Sequence, residues 1–208
     1  MNKGLFITFE GVEGSGKSLQ ANKLKEFLEK KGYTVVLTRE PGGTSSGIRI
    51  REILLDRKSE LSPWCELFLY LADRANNLEY VIKPNLEQGN IVISDRYFDS
   101  TIAYQGAGRR IPFETIMELR KLPAFSLLPD ITILLDLPVE VGLSRLKSLD
   151  RLEGEAMEFH KRVREMYLKI ADMERERFLV IDGTLPVEKI HDKIRERIEE
   201  MLKIREET

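Results

Sequence analysis

Cysteine occurs once in this sequence, at Cys65, so no internal disulfide can form and a reducing cytoplasm is the expected compartment. Histidine is nearly as scarce, at His160 and His191 alone, and neither spacing suggests a zinc site. Both sit in charged helical stretches and read as surface residues. Long apolar runs are missing: nothing of about 18 residues offers a membrane span, and no apolar segment near the start resembles an export signal. Charge of one sign is not in excess, since 33 Lys and Arg face 35 Asp and Glu. That balance argues against a nucleic-acid partner and favours a small phosphate-rich ligand held by a local basic site. No repeat, low-complexity tract or Pro/Gly/Ser linker divides the chain, so residues 1–208 read as one domain.

What the sequence does contain is an alternation. Short apolar runs at Leu5–Phe9, Tyr33–Leu37, Ile91–Ile93, Ile131–Leu135 and Phe178–Ile181 are separated by helix-length amphipathic stretches. Runs that are continuously apolar suit strands covered on both faces. The last helical stretch places Val187, Ile190, Ile194, Ile198 and Met201 on one stripe, with a solvated face of Glu, Lys and Arg opposite. Strand–helix alternation predicts an α/β fold with a parallel sheet and right-handed crossovers. Ligands of such sheets bind beyond the carboxyl ends of the strands, so chemistry belongs just after each apolar run.

After the first run comes Gly11-Val12-Glu13-Gly14-Ser15-Gly16-Lys17-Ser18, the pattern of a phosphate-binding P-loop. Its glycines let backbone N–H groups curl around phosphate oxygens, and the helix predicted over about 17–31 adds the positive end of its dipole. Lys17 can reach the β- and γ-phosphates of a nucleotide, and the Ser18 hydroxyl can ligate Mg²⁺. Leu19 follows, where a second hydroxyl residue is common. No guanine-reading N-K-x-D segment occurs, and the length leaves no room for the accessory domains of large ATP-driven machines. A compact kinase fits better, with a nucleotide-binding regulator as the alternative from another class.

The other strand ends narrow the choice. Thr38-Arg39-Glu40-Pro41-Gly42-Gly43-Thr44 follows the second run, and Ser94-Asp95-Arg96-Tyr97-Phe98-Asp99-Ser100-Thr101-Ile102-Ala103-Tyr104-Gln105 follows the third. Leu67–Ala75 lies between them on a helical stretch. Together these segments resemble thymidylate kinase, its bacterial branch in particular, nearly end to end.

The resemblance implies a P-loop NTPase three-layer sandwich: a five-stranded parallel sheet, helices on both faces and a short mobile lid over about 145–155. It implies transfer of the γ-phosphoryl of ATP to dTMP with Mg²⁺, supplying dTTP for DNA synthesis, by a cytoplasmic homodimer. ATP would lie on Gly11 through Leu19 and on Arg145. Arg96 would clamp the acceptor phosphate, Asp95 would organise Mg²⁺ with Ser18, and Arg51 would also reach the monophosphate beside a solvated Arg49. Arg39 and Pro41 belong to the loop against the acceptor. Tyr70, where the family usually has phenylalanine, would stack on the base; Arg74 and Gln105 would read its edge; Thr101 and Tyr104 would line the same pocket. Glu13 would face the acceptor's 3′-hydroxyl or the metal. The P-loop carries no arginine, so Arg151 of the lid would join Lys17 and Arg96 as the catalytic cations, with Lys147 near the ATP phosphates. A kinase for another pyrimidine monophosphate, such as dUMP or CMP, is the nearest rival. Trp64 and Cys65, behind Pro63, read as packing at a helix start.

Overall fold

All five apolar runs form strands, and every strand continues to a charged residue at its carboxyl end. They are β1 (Leu5–Glu10), β2 (Val35–Arg39), β3 (Ile91–Asp95), β4 (Ile131–Asp136) and β5 (Phe178–Asp182), in a computed structural model that describes residues 4–146 and 150–206. β2 begins later than the run at Tyr33 suggested. The first helix, α1 (Lys17–Lys30), closes with Gly32 at φ 91, and the Tyr33 amide still donates to the Leu28 carbonyl. That is a Schellman closure, which keeps Tyr33 within the helix cap.

The strands pair in parallel in the order β2-β3-β1-β4-β5. Helices fill the connections: α2 (Ser45–Leu55), α3 (Pro63–Asn77), α4 (Lys83–Glu87), α5 (Phe98–Thr101), α6 (Phe113–Arg120), α7 (Val139–Ser144), α8 (Met157–Met173) and α9 (Val187–Glu206). Two π-helical stretches, Leu78–Ile82 and Ile102–Gly108, continue α3 and α5.

Because side chains alternate across a strand, β1 divides its residues between two layers. Leu5, Ile7 and Phe9 face α1 and α9, packing with Leu24, Leu28, Ile190, Ile194 and Ile198. Phe6 faces the opposite layer with Leu67, Leu71 and Tyr97, but the next residues on that side are Thr8 and Glu10, both buried. The α9 stripe holds from Ile190 onward, whereas Val187 at the helix start is 41% exposed.

Ser62 caps α3, its hydroxyl accepting from the Cys65 amide at 3.2 Å, and Pro63 opens the helix. The helix start is therefore as read, but the packing is not: Cys65 is exposed, and Trp64 lies beside Phe68 on the outer surface. Both histidines are also corrected, since His160 is fully buried on α8 and His191 is buried on α9.

Candidate active site

The chain leaves β1 through Gly11 at φ 140 and enters α1 at Lys17 by way of Gly14 (φ 68) and Gly16 (φ 91). A side chain at Gly14 would be strained and would bring its Cβ to 2.0 Å from the Gly142 carbonyl oxygen of α7. The loop therefore packs backbone to backbone against α7. Lys17 folds back over it, donating to the Val12 carbonyl at 2.8 Å and to Ser15 Oγ at 3.1 Å. Burial, and then the Arg96 charge, lowers its pKa to about 8. The Ser18 hydroxyl donates to Asp95 Oδ2, so the first turn of α1 and the end of β3 meet through two oxygens. Leu19 points away, half exposed on α1.

Arg96 follows β3 in the left-handed region at φ 74, a conformation costing roughly 1–2 kcal/mol for a residue with a Cβ. The backbone is pinned on both sides: its N–H donates to the Phe9 carbonyl at 3.0 Å, and its carbonyl accepts from Ser94 Oγ at 2.7 Å. The guanidinium lies over the Tyr104 ring and donates to Glu13 Oε1 at 3.1 Å and Ser100 Oγ at 3.2 Å. Strain of this kind, held by the surrounding lattice of bonds, aims a side chain that relaxed backbone would direct elsewhere.

Two carboxylates support Arg96, and their environments push them apart. Glu13 is buried, which alone would raise its pKa, but His160, Arg96, Lys17 and the Tyr104 hydroxyl hold it down to about 2. Tyr104 donates to Glu13 Oε1, and His160 Nδ1 stands 3.5 Å from Oε2. Glu10 is raised to about 7 by burial and by Asp99, although it accepts from the Tyr97 amide, Ser100 Oγ and Tyr167 Oη. Glu10, Ser100, His160 and Tyr167 thus surround Arg96 and Glu13, an arrangement that reading the sequence missed.

The same cavity extends from Glu13, Lys17 and Ser18 to Arg39, Pro41, Arg51, Tyr70, Arg74, Thr101, Tyr104 and Gln105. Glu40–Pro41 is a cis peptide, and Arg51 Nη1 donates to the Pro41 carbonyl at 3.0 Å. Burial and the neighbouring Arg39 lower the Arg51 pKa, and both cations line the cavity. Arg74 is buried and donates to Glu40 Oε2 at 2.6 Å, Thr101 Oγ1 at 2.6 Å and the Tyr97 carbonyl at 2.9 Å. Glu40 is pushed up to about 7 by burial, against the pull of Arg74. Tyr70 lines the same cavity, with its hydroxyl pKa raised by burial.

Two arginines expected at the site lie outside this cavity. Arg145 is outside the cavity, donating to the Gly14 carbonyl at 3.0 Å and reaching the Gly183 carbonyl beside the P-loop. Arg151 is also outside: Nε donates to the Leu54 carbonyl at 2.7 Å, and Nη2 lies 2.7 Å from Glu66 Oε2. The structure therefore does not bring Arg151 together with Lys17 and Arg96. Asp150 and Leu152 do line the cavity, while Lys147 falls outside the described residues. Glu66, fully buried on α3, was not anticipated. Burial would raise its pKa, but Arg109 and Gln105 outweigh that and keep it below the usual carboxylate range.

One end of the cavity thus offers a phosphate nest with a buried lysine. Its centre holds a strained arginine, and its far end a flat, aromatic-walled compartment with paired donors and acceptors. Such an arrangement can place two phosphorylated molecules in line and neutralise the charge between them.

Comparison with known proteins agrees. The thymidylate kinase family model matches residues 9–194. The thymidylate kinase of a Sulfurihydrogenibium species is 50% identical over 190 residues, covering 90% of this chain and 93% of that protein. The thymidylate kinase of Pelobacter propionicus is 50% identical over 201 residues, covering 92% of each. The crystal structure of thymidylate kinase from Ehrlichia chaffeensis superposes with a TM-score of 0.80 at 36% identity, covering 95% of this chain and 99% of that one.

Proposed function

The chain belongs to the thymidylate kinase family, and from that premise we propose how its residues carry out the family's reaction. The enzyme phosphorylates dTMP to dTDP with ATP, a step towards dTTP. The observation that carries this reading is the single cavity joining the P-loop to a compartment walled by Tyr70, Arg74 and Gln105.

ATP lies with its phosphates in the nest from Gly11 to Ser18 and its base towards Arg145. The dTMP phosphate rests between Arg39, Arg51 and Arg96, with the thymine on Tyr70 and its polar edge towards Arg74 and Gln105. Glu13, ionised and fixed by Arg96 and Tyr104, faces the sugar. Lys17 and Arg96 spread the charge that grows as the γ-phosphoryl passes directly between the two substrates. No side chain needs to carry the phosphoryl group. Arg151 acts as a third cation only if the lid, about 145–155, moves far enough to free it from Glu66 and Leu54.

The residues present fit a magnesium ion. Ser18 Oγ and Asp95 Oδ2 adjoin, an all-oxygen donor pair, and no group of three His, Cys, Asp or Glu side chains suited to a metal occurs among the described residues. Ser18 and Asp95 would hold Mg²⁺ there, and the ion would neutralise part of the ATP charge. We place the enzyme in the cytoplasm, as a single domain. No helix among the described residues is long and apolar enough to cross a membrane. A homodimer is supported by the exposed Ile53, Trp64 and Phe68 on the adjoining helices α2 and α3. Sedimentation at micromolar protein tests it, and a monomer there would exclude it.

The reaction itself is tested by ADP release with ATP and Mg²⁺ against dTMP, dUMP, CMP, UMP, AMP and GMP. Turnover should be strongest with dTMP. Equal ADP release without any monophosphate would replace the kinase by a nucleotide-hydrolysing regulator.

A further inference from the structure

Glu66 takes no part in the chemistry described above, yet it is fully buried on α3, one turn from Tyr70. Its two oxygens are divided. Oε1 accepts from Gln105 Nε2 at 2.8 Å. Oε2 is flanked by two guanidinium groups, with Arg151 Nη2 at 2.7 Å and Arg109 Nη2 at 2.9 Å. Arg109 Nε donates across both oxygens at 3.1 Å.

A carboxylate so surrounded can only accept hydrogen bonds, so the Gln105 amide must turn its nitrogen towards it. The amide carbonyl lies on the other arm, and no described residue donates to it. Gln105 itself lines the cavity. We infer that Glu66 is a specificity-determining positioning residue: by holding the Gln105 nitrogen it presents a carbonyl oxygen to the base, selecting a pyrimidine edge that offers N3–H. Thymine and uracil have that hydrogen, whereas cytosine presents an unprotonated N3 and would meet acceptor with acceptor. This inference rests on the proposed placement of the base at Gln105.

Glu66→Gln tests it with almost no change of shape. The two arginines can only donate, so they retain the remaining oxygen of residue 66, and its new NH₂ group takes the place of Oε1. Gln105 must then rotate to accept from it and turns its own NH₂ inward. Expected is a fall in kcat/KM of roughly tenfold or more for dTMP and dUMP alike, carried by KM, while dCMP does not fall and its ratio to dTMP rises by a similar factor. A purely structural role would lower all three nucleotides together, and an unchanged dCMP:dTMP ratio in folded Glu66→Gln overturns the inference. Arg109→Met, which removes one ion pair while Arg151 and Gln105 still meet Glu66, should keep the ratio of the wild type. Gln105→Ala separates the underlying reading: an unchanged KM for dTMP would mean that Gln105 does not meet the base at all. The orientation is also testable in the wild type. Binding of 3-methyl-dTMP, which lacks the N3 hydrogen, should be weaker than that of dTMP by roughly tenfold or more, and equal binding would contradict a carbonyl facing inward.

Discussion

The two faces of β1 are built from neighbouring residues and do opposite work. Leu5, Ile7 and Phe9 pack in an apolar cluster with side chains from β3, β4, α1 and α9. Phe6, Thr8 and Glu10 meet a layer that begins apolar and becomes charged towards the strand ends, with Glu10, Glu13, Glu40, Glu66, Arg74 and Asp99 all buried. Burying an apolar side chain contributes about 1.5–3 kcal/mol, whereas burying a charge costs free energy until partners surround it. One face therefore stabilises the sheet, and the other uses part of that stability to hold charged groups in fixed positions.

The largest expected effect that tests this division is on turnover. Arg96→Ala should lower kcat about a thousandfold, about 4 kcal/mol in barrier, with its fold intact. Near-normal turnover in that variant would remove Arg96 from the mechanism. The opposite face should show the reverse pattern. Ile194→Ala on α9 is expected to cost about 3 kcal/mol of stability in chemical denaturation, while folded enzyme keeps its kcat. A loss of kcat without loss of stability there would dissolve the contrast between the faces.

The paired carboxylates sharpen it further through pH. Glu10 has a folded pKa of about 7, raised from 4.5 by burial, so its contribution to stability is complete below pH 4.5 and is lost as pH rises through 7. Glu13 is lowered to about 2, so its contribution is present above pH 4.5 and lost as pH falls towards 2. The melting temperature of Glu10→Gln relative to the wild type should therefore rise between pH 4.5 and 7. That of Glu13→Gln should rise, again relative to the wild type, as pH drops from 4.5 to 2. Each change is on the order of 1–3 kcal/mol, and parallel melting curves for all three proteins would mean neither group is perturbed. The smallest effect belongs to the rim. Arg145→Ala, outside the cavity, should raise KM for ATP by about tenfold and leave KM for dTMP alone, as bisubstrate kinetics would show.

These two faces were also unequally legible in the sequence. The apolar one is written in the continuous runs and in the spacing of Ile190, Ile194 and Ile198, because hydrophobic burial follows periodicity. The P-loop was legible because its glycines are required by backbone geometry at Gly14 and Gly16. The charged face was harder to read, since a buried Glu looks like a surface Glu until its partners arrive from elsewhere in the chain. Glu66, Tyr70 and Arg74 recur every four residues on α3, which puts Glu66 on the cavity side, but only the meeting with Gln105, Arg109 and Arg151 explains its burial. His160 was obscured by Lys161 and Arg162, although Val163 and Tyr167 place it on the inner stripe of α8. The position of Arg151 depends on the Leu54 carbonyl and Glu66, neither of which any local pattern announces.

The central claim is direct transfer from ATP to dTMP within the one charged cavity. The most direct measurement is the stereochemical course of transfer from ATP made chiral at the γ-phosphorus with oxygen isotopes. Inversion of configuration in the dTDP formed is the result expected for a single in-line displacement between substrates held by Lys17 and Arg96. Retention would require two displacements and a phosphorylated side chain between them, and it would contradict the account.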